Sequence, residues 1–321
     1  EFRSAAVVDR VNTTMQVWMG VTAGCAQCHS HKYDPVSQRE YYGLFAFLDQ
    51  TQDADKPDES PTFMVGQAQD KAKLAAFEAA LRDREAELAA CVAKNDATDA
   101  GKAEVDRLTK ARDAARAEAD TQRAKLPSIP IMRELPRDQR RTTKIHLKGS
   151  FLNQGDPVEP GVPIAYGNLP DNQPRNRLGF ARWLVDRANP LAARVTVNRW
   201  WEQFFGVGLV ETVEDFGSQA PMPSHPALLD ALAVEFMDHG WSMKRLCKSI
   251  VMSATYRQSS RARAECMERD ARNRLLWRGP RFRLDAEMLR DSALSAAGLL
   301  SRKLYGPSVF PRQPDGIWAM P

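Results

Sequence analysis

From Gln67 to Leu126 the chain changes character: Ala, Glu, Lys, Arg and Asp dominate, and the remaining apolar residues fall on a heptad seam. Leu74, Phe77, Leu81, Leu88 and Cys91 mark the first half of that seam, interrupted by Arg84; Val105, Leu108, Ala115 and Ala119 mark the second, interrupted by Arg112. The polar run from Asn95 to Gly101 between them reads as a turn. Two such stripes can bury themselves only against each other, so the spacing predicts an antiparallel helical hairpin. Its arms are about 25 residues, roughly 40 Å at 1.5 Å per residue. The charged outer faces imply solvation, and Cys91 on the seam implies a small packed side chain rather than a reactive thiol.

The same three- and four-residue spacing recurs after residue 174, in RLGFARWLVD, RVTVNRWWEQFFG, PALLDALAVEFMDHG, MKRLCKSIVMSATY and DAEMLRDSALSAAGLLSR. Residues 127–170 are instead rich in Pro and Gly, and there Thr143, Ile145 and Leu147 alternate with Lys144, His146 and Lys148 as a short strand would. The expected fold is therefore mainly α: multi-helix domains with a projecting antiparallel helical hairpin and a short β element. Four regions follow: 1–66, helical and bearing a cysteine motif; 67–126, the hairpin; 127–174, a linker with the β element; and 175–321, a helical domain. A chain of 321 residues can bury a sizeable core. Its formal charge of +4 is small beside 45 basic and 41 acidic side chains, so no nucleic-acid footprint is expected. No apolar run is long enough to span a bilayer. The start at Glu1 and the stop at Pro321 suggest a fragment of something longer, so the lack of an export signal says little about compartment.

In the first region, Val8, Val11, Met15, Trp18 and Met19 predict a helix that stops at Gly24. Beyond the motif, Ser37 and Glu40 form a capping-box signature ahead of the apolar Tyr41, Tyr42, Leu44, Phe45 and Leu48. Between the two helices lies GCAQCHSHKYDP, Gly24 to Pro35, with two of the chain's five cysteines and two of its five histidines. In Cys-x-x-Cys-His, thiols one turn apart can bond the two vinyl groups of haem while the adjacent histidine coordinates iron. Cys25, Cys28 and His29 fit haem c in that way. The spacing also suits a metal site using His29 and His31 with one or both cysteines, and a disulfide or dithiol. His31 lies too near His29 to reach the opposite face of a porphyrin, which leaves Met15, Met19, Met64 and His146 as candidates for the sixth iron position.

Read together, DRVNTTMQVWMGVTAGCAQCHSHKYDPVSQREYYGLFAFL (9–48) and NRLGFARWLVDRANPLAARVTVNRWWEQFFGVGLVETVEDFGSQ (176–219) resemble a family of secreted planctomycete proteins. These carry a cytochrome-c-type domain next to two domains of unknown function. HPALLDALAVEFMDHGW, SATYRQSS and GPRFRLDAEMLRDSAL extend the resemblance. It implies an exported protein, periplasmic or secreted, whose relatives begin with a leader, and it suggests a redox or carbohydrate-handling role beside polysaccharide breakdown. One departure is Ala227, where relatives place Glu; Ser224 is then expected to cap its helix alone.

Other polar clusters bear a second class of function. The segment from Asp215 to Gln219, with Ser224 and His225 after it, could line a ligand site or simply cap a helix. Arg281, Arg283, Asp285, Glu287, Arg290 and Asp291 are spaced for ion pairs between 283 and 287 and between 287 and 290, and they also offer carboxylates to a hydrolase. Asn198, Arg199, Trp200 and Trp201 could stack a sugar or pack a core. The leading expectation is an extracytoplasmic c-type haem protein passing electrons to an unidentified redox partner. The alternative is a secreted hydrolase or carbohydrate-binding protein with a structural metal or disulfide at the cysteine motif.

Overall fold

The computed structural model describes residues 1–52, 60–94, 98–309 and 316. Of the described residues 54% are helical and 5% lie in strands, which form two small antiparallel sheets. Among the described residues no helix is long and apolar enough to cross a membrane.

Helix α1 (Phe2–Thr14) buries Val7 and Val11 and runs into one π-helical turn, Met15–Met19. It ends at Gly20, not Gly24: Gly20 takes φ +61°, its N–H donates to Gln16, and the Val21 N–H reaches back to Met15. These paired bonds close the π turn around a left-handed residue, which needs one tolerant of positive φ. Gly24 instead sits inside a 3₁₀ turn, Ala23–Gln27. Helix α2 (Gln38–Leu48) starts on the expected capping box, with Ser37 Oγ accepting from the Glu40 N–H at 3.2 Å and Glu40 accepting from the Ser37 N–H at 2.8 Å. Its apolar residues Tyr41 to Leu48 are buried all round, so α2 is the central rod of the first core.

Strand β1 (Thr62–Met64) pairs antiparallel with β2 (Ser128–Pro130), Thr62 opposite Pro130. Between them rise α3 (Ala68–Ala93) and α4 (Asp99–Ala124), the predicted hairpin. Leu74, Leu108 and Ala119 are its buried residues, and Arg116–Glu85 and Arg123–Glu78, at 2.9 and 2.8 Å, tie the arms together at the surface. Of the expected turn, Asn95 to Ala97 lies outside the described residues. Strand β3 (Lys144–His146) pairs antiparallel with β4 (Gln154–Pro157). The β element is shorter than the alternation promised, because Lys148 and Gly149 take φ +53° and +75° and turn the chain after His146.

Helices α5 (Arg177–Leu184), α6 (Ala192–Phe205), α7 (Pro226–Asp238), α8 (Met243–Met252), α9 (Ala254–Arg257), α10 (Ala264–Arg269) and α11 (Ala286–Ala296) complete the order. One core joins α1 and α2 to Val158, Tyr166, Phe180 and Trp183; a second joins α6, α7 and α8 through Trp201, Leu209, Phe236 and Ile250. Residues on both sides of position 174 thus share the first core. Ser224 does not cap α7. The N-cap is His225, whose ring makes no capping bond but lies 3.1 Å from Ser224 Oγ through Nδ1, and Pro226 at the first helical position removes one N–H that a cap would otherwise serve.

Candidate functional site

The Cys25–Cys28 turn follows from burial. Ala23 and Ala26 are the inward residues, 1% and 0% exposed, while Cys25 and Cys28 are exposed and are both free thiols. The Cys28 N–H donates to the Cys25 carbonyl at 3.3 Å. In such a tight turn positions i and i+3 eclipse, so both sulfurs leave from one side. Cys28 lies against Gly149: a Cβ built there would come within 2.6 Å of the Cys28 Sγ, and φ of +75° favours glycine independently. Beneath the turn, the Tyr42 hydroxyl donates to the Gln27 carbonyl at 3.0 Å, and Gln38 Nε2 donates to the same oxygen at 3.1 Å. Burial, followed by the neighbouring Cys28 thiol, pushes the Tyr42 phenol up to about 12. Tyr42 therefore remains a neutral donor across the physiological range.

His29 is exposed, with Nδ1 2.7 Å from the Ser30 carbonyl. A carbonyl oxygen only accepts, so Nδ1 carries the proton and Nε2 presents its lone pair. This is the arrangement in which a metal-ligating histidine donates its other N–H to the backbone. His31 does different work. Its Nδ1 accepts from the N–H groups of Asp34 (2.7 Å) and Tyr33 (3.3 Å), and the side chain is 6% exposed. With Nδ1 already used as an acceptor, the neutral ring carries its proton on Nε2, which suits loop folding better than ligation.

Asp34 extends the motif into the second half of the chain. Its Oδ1 accepts from the Ser218 N–H at 2.7 Å, and a Cβ built on Gly217 would sit 2.5 Å from that oxygen. The Phe216 N–H donates to the Gly20 carbonyl at 2.6 Å, and Arg199 donates to the carbonyls of Val17 and Gln16, the latter at 2.9 Å. The Asp215 loop, expected to cap a helix or meet a ligand, is thus the contact that docks the cysteine-bearing segment. Asp215 itself accepts from the Gly217 N–H at 2.9 Å and shapes that loop.

The other candidates are dispersed. Met15 and Met19 are 0% exposed, and Met19 Sδ accepts from Asn189 Nδ2 at 3.4 Å, so both are core residues. Met64 belongs to β1 at the base of the hairpin. His146 is buried against Tyr42 and Phe45, ring centroids 5.0 and 5.4 Å away, with Nδ1 lacking a partner. Asn198 and Trp201 form no sugar platform: Asn198 is 0% exposed and pairs both ways with the Val210 backbone at 3.0 and 2.9 Å, while Trp201 stacks on Phe205. On α11, Arg290–Asp291 at 3.9 Å is the ion pair formed among the described residues of that cluster, in place of 283–287 or 287–290. Among the described residues, no three His, Cys, Asp or Glu side chains are grouped to hold a bare ion. Clefts of about 510 and 460 Å³ lie on the hairpin, the second beside Cys91, and the cysteine motif lines neither.

Sequence reasoning missed Gly149, Gln38 and the hydroxyl of Tyr42, which support the turn from below.

The fold and this site define a mainly α-helical protein whose N-terminal segment displays a Cys-x-x-Cys-His turn and is clamped by a loop of its C-terminal half. Residues 176–320 match the family PSD1, described as a protein of unknown function (DUF1553), and residues 1–53 match PSCyt2, described as a protein of unknown function (DUF1549). The chain thus pairs two domains of unknown function. No curated protein and no solved structure matches it.

Proposed function

We propose that this chain is an extracytoplasmic c-type haem protein, an electron-transfer module in which Cys25 and Cys28 would anchor the group and His29 would ligate its iron. One observation carries the proposal: the Nδ1–H of His29 is held by the Ser30 carbonyl at 2.7 Å, leaving Nε2 as the ligating atom beside two exposed thiols on one turn. Bound there, haem supplies reversible one-electron chemistry. The chain's own residues do the rest. The thiols would hold the group, the backbone of Ser30 fixes the imidazole tautomer, and Tyr42 and Gln38 hold the turn through the Gln27 carbonyl. Exposure of the turn leaves it open to a redox partner. A role beside polysaccharide breakdown rests on the resemblance of the paired segments alone.

The hydrolase or carbohydrate-binding alternative has less to stand on, since the Asp215 loop is engaged in docking and Trp201 is buried. The test is expression with export in a host that matures c-type cytochromes, followed by a pyridine haemochrome spectrum. Wild type is expected to give the band and Cys25→Ser/Cys28→Ser to give none. A colourless wild type from cells that mature a control cytochrome would reject the proposal.

A further inference from the structure

A cleft of about 290 Å³ opens beside β3, away from the cysteine turn, lined among others by Gln50, Arg140, Arg141, Thr142, Glu159 and Arg175. Three arginines face one carboxylate there, a formal excess of two positive charges.

Their anchoring differs in an informative way. Arg141 is fixed: its Nη1 donates to the carbonyls of Asp49 and Thr51, the latter at 2.9 Å, just past the end of α2. Its backbone N–H and carbonyl are clasped by the Gln50 amide at 2.9 and 3.0 Å. Arg140 and Arg175 are exposed and lightly committed. Arg140 Nη2 stands 3.8 Å from Glu134, whose other oxygen already holds Arg177 at 3.0 Å. Arg175 makes one long bond, 3.3 Å, to the Pro160 carbonyl. Gathering like charges is unfavourable by itself, and a bound anion relieves it.

A guanidinium is a planar fork of five N–H donors that grips two oxygens at once. A carboxylate fills one fork; an ion with four oxygens fills two and, as a dianion, matches the excess charge. We infer that this cleft binds a tetrahedral oxyanion of the sulfate or phosphate type, held chiefly by Arg140 and Arg175 and oriented by Arg141 and Thr142. The site is independent of any haem.

The test is calorimetric titration of the full chain with sodium sulfate and with sodium phosphate at constant ionic strength. Saturable binding of at least one ion is expected, weakened more than about tenfold in Arg140→Gln/Arg175→Gln. The same charge change on the hairpin, Arg84→Gln/Arg107→Gln, removes two exposed ion-paired arginines and should leave affinity unchanged. Acetate should bind at least about tenfold more weakly than the preferred ion. Absence of saturable binding, equal loss in the hairpin variant, or acetate binding as tightly would each overturn the assignment. Both cleft arginines are exposed, so the urea midpoint of their variant should stay at the wild-type value.

Discussion

The contact between Asp34 and Gly217 makes a sharp energetic prediction. The Asp34 carboxylate is 6% exposed and accepts the Ser218 N–H at 2.7 Å. Asp34→Ala deletes a charge-assisted bond and strands that N–H, a loss of about 1.5–3 kcal/mol. Gly217→Ala places a Cβ 2.5 and 2.7 Å from the two carboxylate oxygens, closer than real contacts allow, so the carboxylate must leave. Its cost is therefore of the same origin and size, about 2 kcal/mol. With Asp34→Ala already present the obstructing atoms are gone. Gly217 is not among the glycines of positive φ, so alanine there should cost nothing and gain up to about 0.4–1 kcal/mol from the unfolded chain. The two substitutions should thus couple by about 2 kcal/mol. Urea unfolding followed by tryptophan fluorescence on wild type, both single variants and the double variant measures that coupling. Additivity within about 0.5 kcal/mol would show that the 215–219 loop does not clamp the cysteine segment through this carboxylate.

Four further outcomes are expected. Asn198→Ala should cost about 2–4 kcal/mol in urea unfolding, because two buried bonds to the Val210 backbone are lost together. Ser37→Ala should cost about 1 kcal/mol through the cap of α2, whereas Ser224→Ala, outside any cap, should leave the urea midpoint within error. Burial, opposed by the charge of Asp49, holds His146 below its ordinary value. The folded ring is then neutral where the unfolded chain takes up a proton, so its contribution is intact above about pH 6.5 and declines as pH falls from there toward the folded value. His146→Phe should flatten that part of the stability–pH curve relative to wild type. Replacing residues 68–124 by a short turn should leave the far-UV spectrum per helical residue and the cysteine turn unchanged, since β1 and β2 already bring the hairpin's ends together; loss of folding would show that the arms support the body.

Local rules made much of this chain legible. The hairpin follows from one seam, which supplies its three buried residues, Leu74, Leu108 and Ala119, and the cap of α2 from Ser37 and Glu40. Periodicity alone carries the first helix four residues too far, because it does not reveal that Gly20 closes the helix with positive φ while Gly24 joins a 3₁₀ turn. Contacts between distant segments were out of reach: nothing local links Asp34 to Ser218 or Cys28 to Gly149. The pairs foreseen on α11 failed because spacing permits an ion pair without fixing either exposed side chain. The stretch from Asn198 to Trp201 left a sugar platform and a packed core both open, since the partner of Asn198, the Val210 backbone, lies on a loop beyond the helix.

The most direct measurement is the intact mass of the exported chain purified from a cytochrome-maturing host. A species heavier than the polypeptide by one haem, reverting to the bare chain in Cys25→Ser/Cys28→Ser, is the expected result. A wild-type mass equal to the polypeptide alone, from cells whose control cytochrome is fully matured, would contradict haem attachment at this turn.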